Sequence, residues 1–239
     1  MKNITAIIPA RIGSKRLKYK NLAILNGKPL IYYAIKAAKK SKIFNNIFIN
    51  SDDIIFKKIA IKYNVGFYLR PKKLGSSKAK TDAVVYDFIK KHPDTKILVW
   101  VNPIAPLQTS EEIVSCYKFF IKKNIDSLIT TTQHSLHGIM SNKPINFKFN
   151  KLFEKTQDLK KIELFLYSLF IWKCKTFLKS YKKNKIGVMC GKFSTYPINK
   201  SHAIIIKDIN DLILANYIMR TKNYNKYYKL KYDKLLKEK

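Results

Sequence analysis

Arg11, Lys15, Arg16 and Lys20 stand in one short stretch that also carries Ala10, Gly13 and Ser14, with Asn21 one position on. Guanidinium and ammonium groups neutralise phosphate charge, while the Ser14 hydroxyl and the backbone amides around Gly13 add directed donors. Cations and donors gathered this closely suit a polyphosphate. The plainer alternative is a basic surface turn, which a lysine-rich chain readily produces. The stretch fits neither G-x-x-x-x-G-K-[ST] nor G-x-G-x-x-G, so neither of those phosphate-binding frames applies.

The loop needs a strand to deliver it. Residues 4–8 are an apolar, mostly β-branched run suited to a strand buried on both faces, Pro9 closes it, and Gly13 is expected to turn the backbone sharply. Apolar runs then alternate with helix-period segments, which is the pattern of βα units around a mostly parallel sheet. Helices are expected over 30–40, 54–63 and up to 91, with strands over 47–50, 66–69 and 97–101. The last of these strands delivers Asn102 to Leu107 at its carboxyl end, where open α/β sheets keep their functional loops. Ser110-Glu111-Glu112 opens a further helix, and a strand follows over 127–132. Periodicity weakens over 134–161, where short strands are expected near 143–147. It returns over 164–172, with a helix through 181 and another from about 210. One domain over 1–222 and a basic extension over 223–239 account for the chain.

Composition narrows the class. The 239 residues are 46% hydrophobic, enough for a good core. No apolar run is long enough to span a bilayer, so a cytosolic protein is expected, with no membrane partner. The three cysteines, Cys116, Cys174 and Cys190, have no C-x-x-C spacing and imply neither a disulfide framework nor a zinc site. His92, His134, His137 and His202 are scattered without a metal-binding motif. Lys and Arg total 48 against 15 Asp and Glu, a net charge of +33. This charge runs through nearly every segment, so it reads as background that draws anions in, without specific nucleic-acid recognition.

Pro9-Ala10-Arg11, Gly13-Ser14-Lys15-Arg16, Lys20-Asn21 and Asn26-Gly27-Lys28-Pro29-Leu30 together resemble the signature of the acylneuraminate cytidylyltransferases, which activate sialic and related nonulosonic acids as CMP-sugars. The resemblance is strongest over residues 1–120. It implies an α/β fold, a Rossmann-like, GT-A-like three-layer sandwich with a mostly parallel sheet. Carried over residue by residue, it assigns Arg11, Lys15, Arg16 and Lys20 to binding and polarising the triphosphate. Ala10, Gly13, Ser14 and Asn21 belong to the same nucleotide-binding loop. Ile12 stands where many relatives have a second glycine, so its φ must stay negative.

Arg70-Pro71 and Leu74-Gly75-Ser76-Ser77 resemble the segment that cradles cytosine and ribose, with Ser77 in place of an aspartate and Thr81 as the hydroxyl expected near the base. Ser51-Asp52-Asp53 resembles the family's Ser-Thr-Asp; two acids ahead of a helix read most simply as complements to its N-terminal dipole. Asn102 to Thr109 resembles Leu-Gln-Pro-Thr-Ser-Pro-Leu-Arg-Thr, with Asn102 replacing a glutamine and Gln108 an arginine. Gln157-Asp158-Leu159 resembles Gln-Asp-Leu-Pro, and Tyr167 to Ile171 fills the slot of Asn-Gly-Ala-Ile-Tyr-Ile. Asn102 and Gln157 are therefore the expected sugar-acid contacts.

Transfer from CTP implies Mg²⁺, held by hard oxygen ligands. The family's Asp-x-Asp pair falls on Ile204 to Leu212. One alignment places Ile206 and Asp208 on the pair, and another places Lys207 on its second acid. Either way the pair is broken. Asp208 remains as the expected metal carboxylate, and Asp211 is expected to cap the next helix.

The resemblance thus implies a cytidylyltransferase that joins CMP from CTP to a 2-keto-3-deoxy sugar acid, works with Mg²⁺ and forms a homodimer through 134–161. Two rivals stand beside it. A homologue could bind nucleotide with an impaired or redirected site, or a basic nucleic-acid binder could present its charge on one continuous face.

Overall fold

The computed structural model describes residues 3–225; the basic extension expected over 223–239 lies outside them beyond residue 225. The apolar run becomes β1 (Ile4–Pro9), with Ile4, Ala6 and Ile8 in one apolar layer and Ile7 in the other. That two-sided burial makes it the middle of the sheet. A loop, a 3-10 turn at Lys20–Leu22 and a small hairpin of β2 (Ile24–Leu25) and β3 (Lys28–Pro29) lead into α1 (Leu30–Ser41). The hairpin turns on Asn26 and Gly27, both at positive φ.

Then follow β4 (Asn46–Ser51), α2 (Ile55–Tyr63), β5 (Gly66–Leu69), a 3-10 turn at Lys72–Gly75, α3 (Thr81–Lys91), β6 (Ile97–Val101) and α4 (Ser110–Lys122). The second half holds β7 (Ser127–His134), β8 (Ile139–Met140), β9 (Lys143–Pro144), β10 (Ile162–Lys173), α5 (Cys174–Asn184), β11 (Phe193–Pro197) and α6 (Ile209–Asn225).

The main sheet is seven-stranded, in the order β11-β7-β10-β6-β1-β4-β5. Every pairing is parallel except those of β10, which runs antiparallel to β6 and β7. Helices α1, α2 and α4 cover one face through Ile31, Ile35, Phe56, Ile113 and Phe120, and α3 and α5 cover the other through Val85, Phe88 and Phe177. Each such fully buried side chain contributes about 1.5–3 kcal/mol. The result is the expected three-layer α/β sandwich.

Two local expectations are corrected. The excursion over 134–161 forms its hairpin at 139–144, earlier than 143–147, because Ser141 and Asn142 take the positive φ that a tight turn requires. Edge strand β11 was absent from the sequence reading, because Phe193-Ser194-Thr195-Tyr196 is neither a continuous apolar run nor an apolar–polar alternation. Among the described residues no helix is long and apolar enough to cross a membrane.

Candidate functional site

Strands β6, β1, β4 and β5 lie side by side and parallel, so the loops at their carboxyl ends share one edge of the sheet. The chain order reverses between β1 and β6, which is where open α/β sheets hold ligands. Arg11, Asp52, Arg70 and Asn102 all leave strands at that edge. Ala10 extends the ladder by one bond, its N–H donating to the Asn50 carbonyl at 2.9 Å, so the loop starts from a fixed point.

The opening loop is held from within and from across the fold. Asn21 is buried and its Nδ2 donates to the Arg11 carbonyl at 3.2 Å, so it braces the loop. Ser14 is half-buried, while Gly13, Lys15 and Arg16 are exposed, which leaves both cations open to an incoming anion. Gly13 does not make the sharp turn expected of it: its φ is not positive, and a side chain there would meet open space. The turn falls at Tyr19, with φ 51, just before the 3-10 turn. Ile12 keeps a negative φ, as its branched side chain requires.

Lys20 reaches the other end of the chain. Its Nζ donates to the Ile206 carbonyl at 2.9 Å and to that of Lys207 at 3.3 Å. Burial, then the nearby charges of Arg16 and Arg11, draw its pKa down, against a smaller opposing pull from Asp211 and Asp208. Arg11, Arg16 and Lys20 therefore form one electropositive group beside the start of α6.

Arg70 is only 4% exposed. Its Nη2 donates to Asp52 Oδ1 at 3.3 Å, its Nη1 to Asn50 Oδ1 at 3.3 Å, and its Nε is buried without a partner. The Asn50 Nδ2 beside it is also buried and unpartnered. Burial lowers the Arg70 pKa and Asp52 opposes that shift, so the pair keeps a buried cation in place.

Asp52 corrects the sequence reading. It is drawn away from α2, and its Oδ1 accepts from both Arg70 and the Ile12 N–H, the latter at 3.3 Å. Only Asp53 serves the helix end, accepting from the Ile55 N–H at 2.9 Å. Its position one residue past the end of β4, at the shared edge, was the signal available in the sequence.

A cleft of about 740 Å³ opens beside Asp52, Tyr68, Arg70 and Asp87, within the range usual for small-molecule sites. It does not include the opening-loop cations, which stand on a surface loop next to the cleft. Thr81 sits half-buried on the first turn of α3, past the 72–75 turn. Asn102 is spent on backbone: its Nδ2 donates to the Tyr167 carbonyl at 2.9 Å. Tyr167 takes φ 61 within a break in β10 pairing between Phe165 and Phe170, so Asn102 anchors a bulge at the site edge. Gln157 stands on an exposed turn of the excursion, and the structure does not join it to this cluster.

At the start of α6, Asp208 Oδ1 accepts from the N–H groups of Asn210 (3.0 Å) and Asp211 (3.3 Å). Asp211 Oδ2 in turn accepts from those of Lys207 (2.7 Å) and Asp208 (3.2 Å). The two acids form a reciprocal cap. Ile206 is fully buried with Leu25, Leu30, Leu212 and Ala215, and Lys207 is exposed, so the first position of the expected pair serves packing. Among the described residues no three His, Cys, Asp or Glu side chains gather as a metal cage. The second oxygens of Asp208 and Asp211 are outside the cap, which fits a hard cation that takes one or two protein carboxylates and its remaining ligands from phosphate and water.

A cytidylyltransferase family model matches residues 5–229. The chain is 34% identical over 117 residues to the N-acylneuraminate cytidylyltransferase of Escherichia coli O18:K1:H7, covering 49% of this chain and 28% of that protein. It is 35% identical over 144 residues to the pseudaminic acid cytidylyltransferase of Campylobacter jejuni, covering 56% of this chain and 59% of that one. The matches thus span less than two thirds of either relative. A solved CMP:2-keto-3-deoxy-manno-octonic acid synthetase complexed with CTP superposes with a TM-score of 0.70 at 11% identity, covering 92% of this chain and all of that one, which is a likeness of fold. With a family model matched along nearly its whole length, the chain belongs to the cytidylyltransferase family.

Proposed function

We propose that this protein transfers CMP from CTP to a 2-keto-3-deoxy sugar acid of the nonulosonate class. The observation that carries the reading is the convergence of Arg11, Lys20 and the Asp52-held Arg70 at one edge of the sheet. The names of the sialic and pseudaminic acid relatives support the substrate class.

In this reading the anomeric hydroxyl oxygen bonds to the α-phosphorus. The bond from that phosphorus to the bridging oxygen breaks, pyrophosphate leaves with the electron pair, and the hydroxyl proton passes to solvent. Arg11, Lys15, Arg16 and Lys20 stabilise charge on the phosphates, and Ser14 orients them while Asn21 braces their loop. Arg70 and Thr81 fix the nucleoside, and Asn102 shapes the sugar-acid side of the site by anchoring the Tyr167 bulge. Asp208 would hold Mg²⁺ through its uncapped oxygen, and a bound Mg²⁺ neutralises triphosphate charge. Catalysis is then mainly positioning and electrostatics.

A second reading has its own support: packing of Ile206 and the Lys20 tether at the broken acid pair suit a homologue that binds nucleotide without turnover. Pyrophosphate release with CTP, Mg²⁺ and a panel of sialic, legionaminic and pseudaminic acids, beside CTP calorimetry, separates the two. Release with one acid supports transfer and names the substrate. Binding without release supports the second reading, and absence of both overturns each.

The proposal includes a homodimer formed through the excursion, whose Leu152 and Phe153 are 94% and 78% exposed. Charged substitutions at these two positions are expected to give a monomer by sedimentation; an unchanged dimer would remove the excursion from the interface.

A further inference from the structure

One carboxylate joins three loops that the sheet places side by side. Asp52 Oδ1 accepts from the Ile12 N–H of the loop after β1 and from Arg70 Nη2 after β5, both at 3.3 Å. Its other oxygen lies against Gly75 in the Lys72–Gly75 turn, where an added methyl would overlap the carboxylate. Asp52 is the salt-bridge partner of Arg70, at 4% and 11% side-chain exposure, so the bond is shielded from water. Neither Ile12 nor Arg70 can shift without breaking a bond to the same atom.

We propose that Asp52 is a positioning residue that sets the spacing between the two ends of the nucleotide site, the phosphate loop and Arg70. This rests on the nucleotide reading above. A ligand that touches only one end needs only that end in order. A nucleoside triphosphate touches both, and gains affinity only if the two ends are held at its own length before it arrives. Asp52 does not touch the reacting atoms. Gly75 is part of the same device, since its missing side chain leaves the carboxylate its place.

Calorimetry with CTP, CMP and inorganic tripolyphosphate tests this on the wild type, Asp52→Asn and Gly75→Ala. Asp52→Asn retains an oxygen acceptor and loses the charge; Gly75→Ala retains the charge and displaces it, and serves where the first variant folds poorly. The expected result is CTP binding weakened by about tenfold or more, the scale of one lost charged hydrogen bond, with CMP and tripolyphosphate each weakened much less. A purely structural role would lower thermal stability and weaken all three ligands alike, or none, and either pattern overturns the proposal. Failure of the wild type to bind any of the three overturns the nucleotide reading itself, and this inference with it.

Discussion

The Lys20 ammonium lies 2.9 Å from the Ile206 carbonyl oxygen, so the loop after β1 is tied to the approach to α6. Under the proposed function the same cation also binds phosphate. Lys20→Met is expected to lower kcat/KM for CTP by about a hundredfold, the usual loss when one preorganised charge donor is removed. Steady-state pyrophosphate release checks it; a loss below about threefold, within ordinary context effects, would leave Lys20 as tether alone.

Lys20 also predicts a pH limb. Burial, with Arg16 and Arg11 near, draws its pKa down, so it deprotonates at lower pH in the folded protein than in the unfolded chain. Between those two values the unfolded chain holds more protons, and the Lys20 contribution to unfolding free energy rises with pH. The phosphate binding proposed for the same group should fade across that window. The KM for CTP should therefore climb on the alkaline side without a stability loss from this group. Lys20→Arg, which stays charged, should move the limb upward.

At Asp208 the helix cap seen in the structure is separable from the metal binding proposed for it. Asp208→Ala removes a helix cap and is expected to cost about 1 kcal/mol in urea unfolding, whereas Asp208→Asn keeps the capping oxygen and should cost only a few tenths. Both variants should raise the Mg²⁺ concentration needed for half-maximal turnover. Equal Mg²⁺ dependence in the wild type and Asp208→Asn would take the metal role from this residue.

The thiols are expected to be inert. Burial pushes Cys174 up to about 12 and Cys190 to about 11, and raises Cys116 as well. The thiolate is the reactive form, so iodoacetamide at neutral pH should label none of the three in the native protein and all of them after unfolding. Mass spectrometry reads the outcome.

Much of the fold was legible because buried parallel strands are continuous apolar runs. The fully buried 97–101 strand agrees with the structure to the residue, and so does the half-buried edge strand 66–69, whose Phe67, Tyr68 and Leu69 still form an apolar run. The opening-loop cations were legible for a similar reason, since they are neighbours in sequence. What escaped was long-range. Asp52 looked like a helix-end acid because its true partners, Ile12 and Arg70, are separated from it by 40 and 18 positions. Gly75 had no visible task until that carboxylate was placed against it. Asn102 looked free to meet a substrate, but its amide serves the Tyr167 bulge, which local propensity does not foretell. At β11 the polar pair Ser194-Thr195 between Phe193 and Tyr196 leaves neither the apolar run nor the alternation on which the strand reading depends.

The bond from Lys20 to Ile206 spans 186 positions, which puts a clock on the site. At ribosomal speeds of about 5–20 residues per second, the loop after β1 exists for on the order of ten to forty seconds before its tether is even synthesised. During that interval β1 can pair with β4, but the loop's cations face the crowded cell without their anchor. Competence thus arrives late in synthesis, when the approach to α6 emerges and fastens a loop made long before.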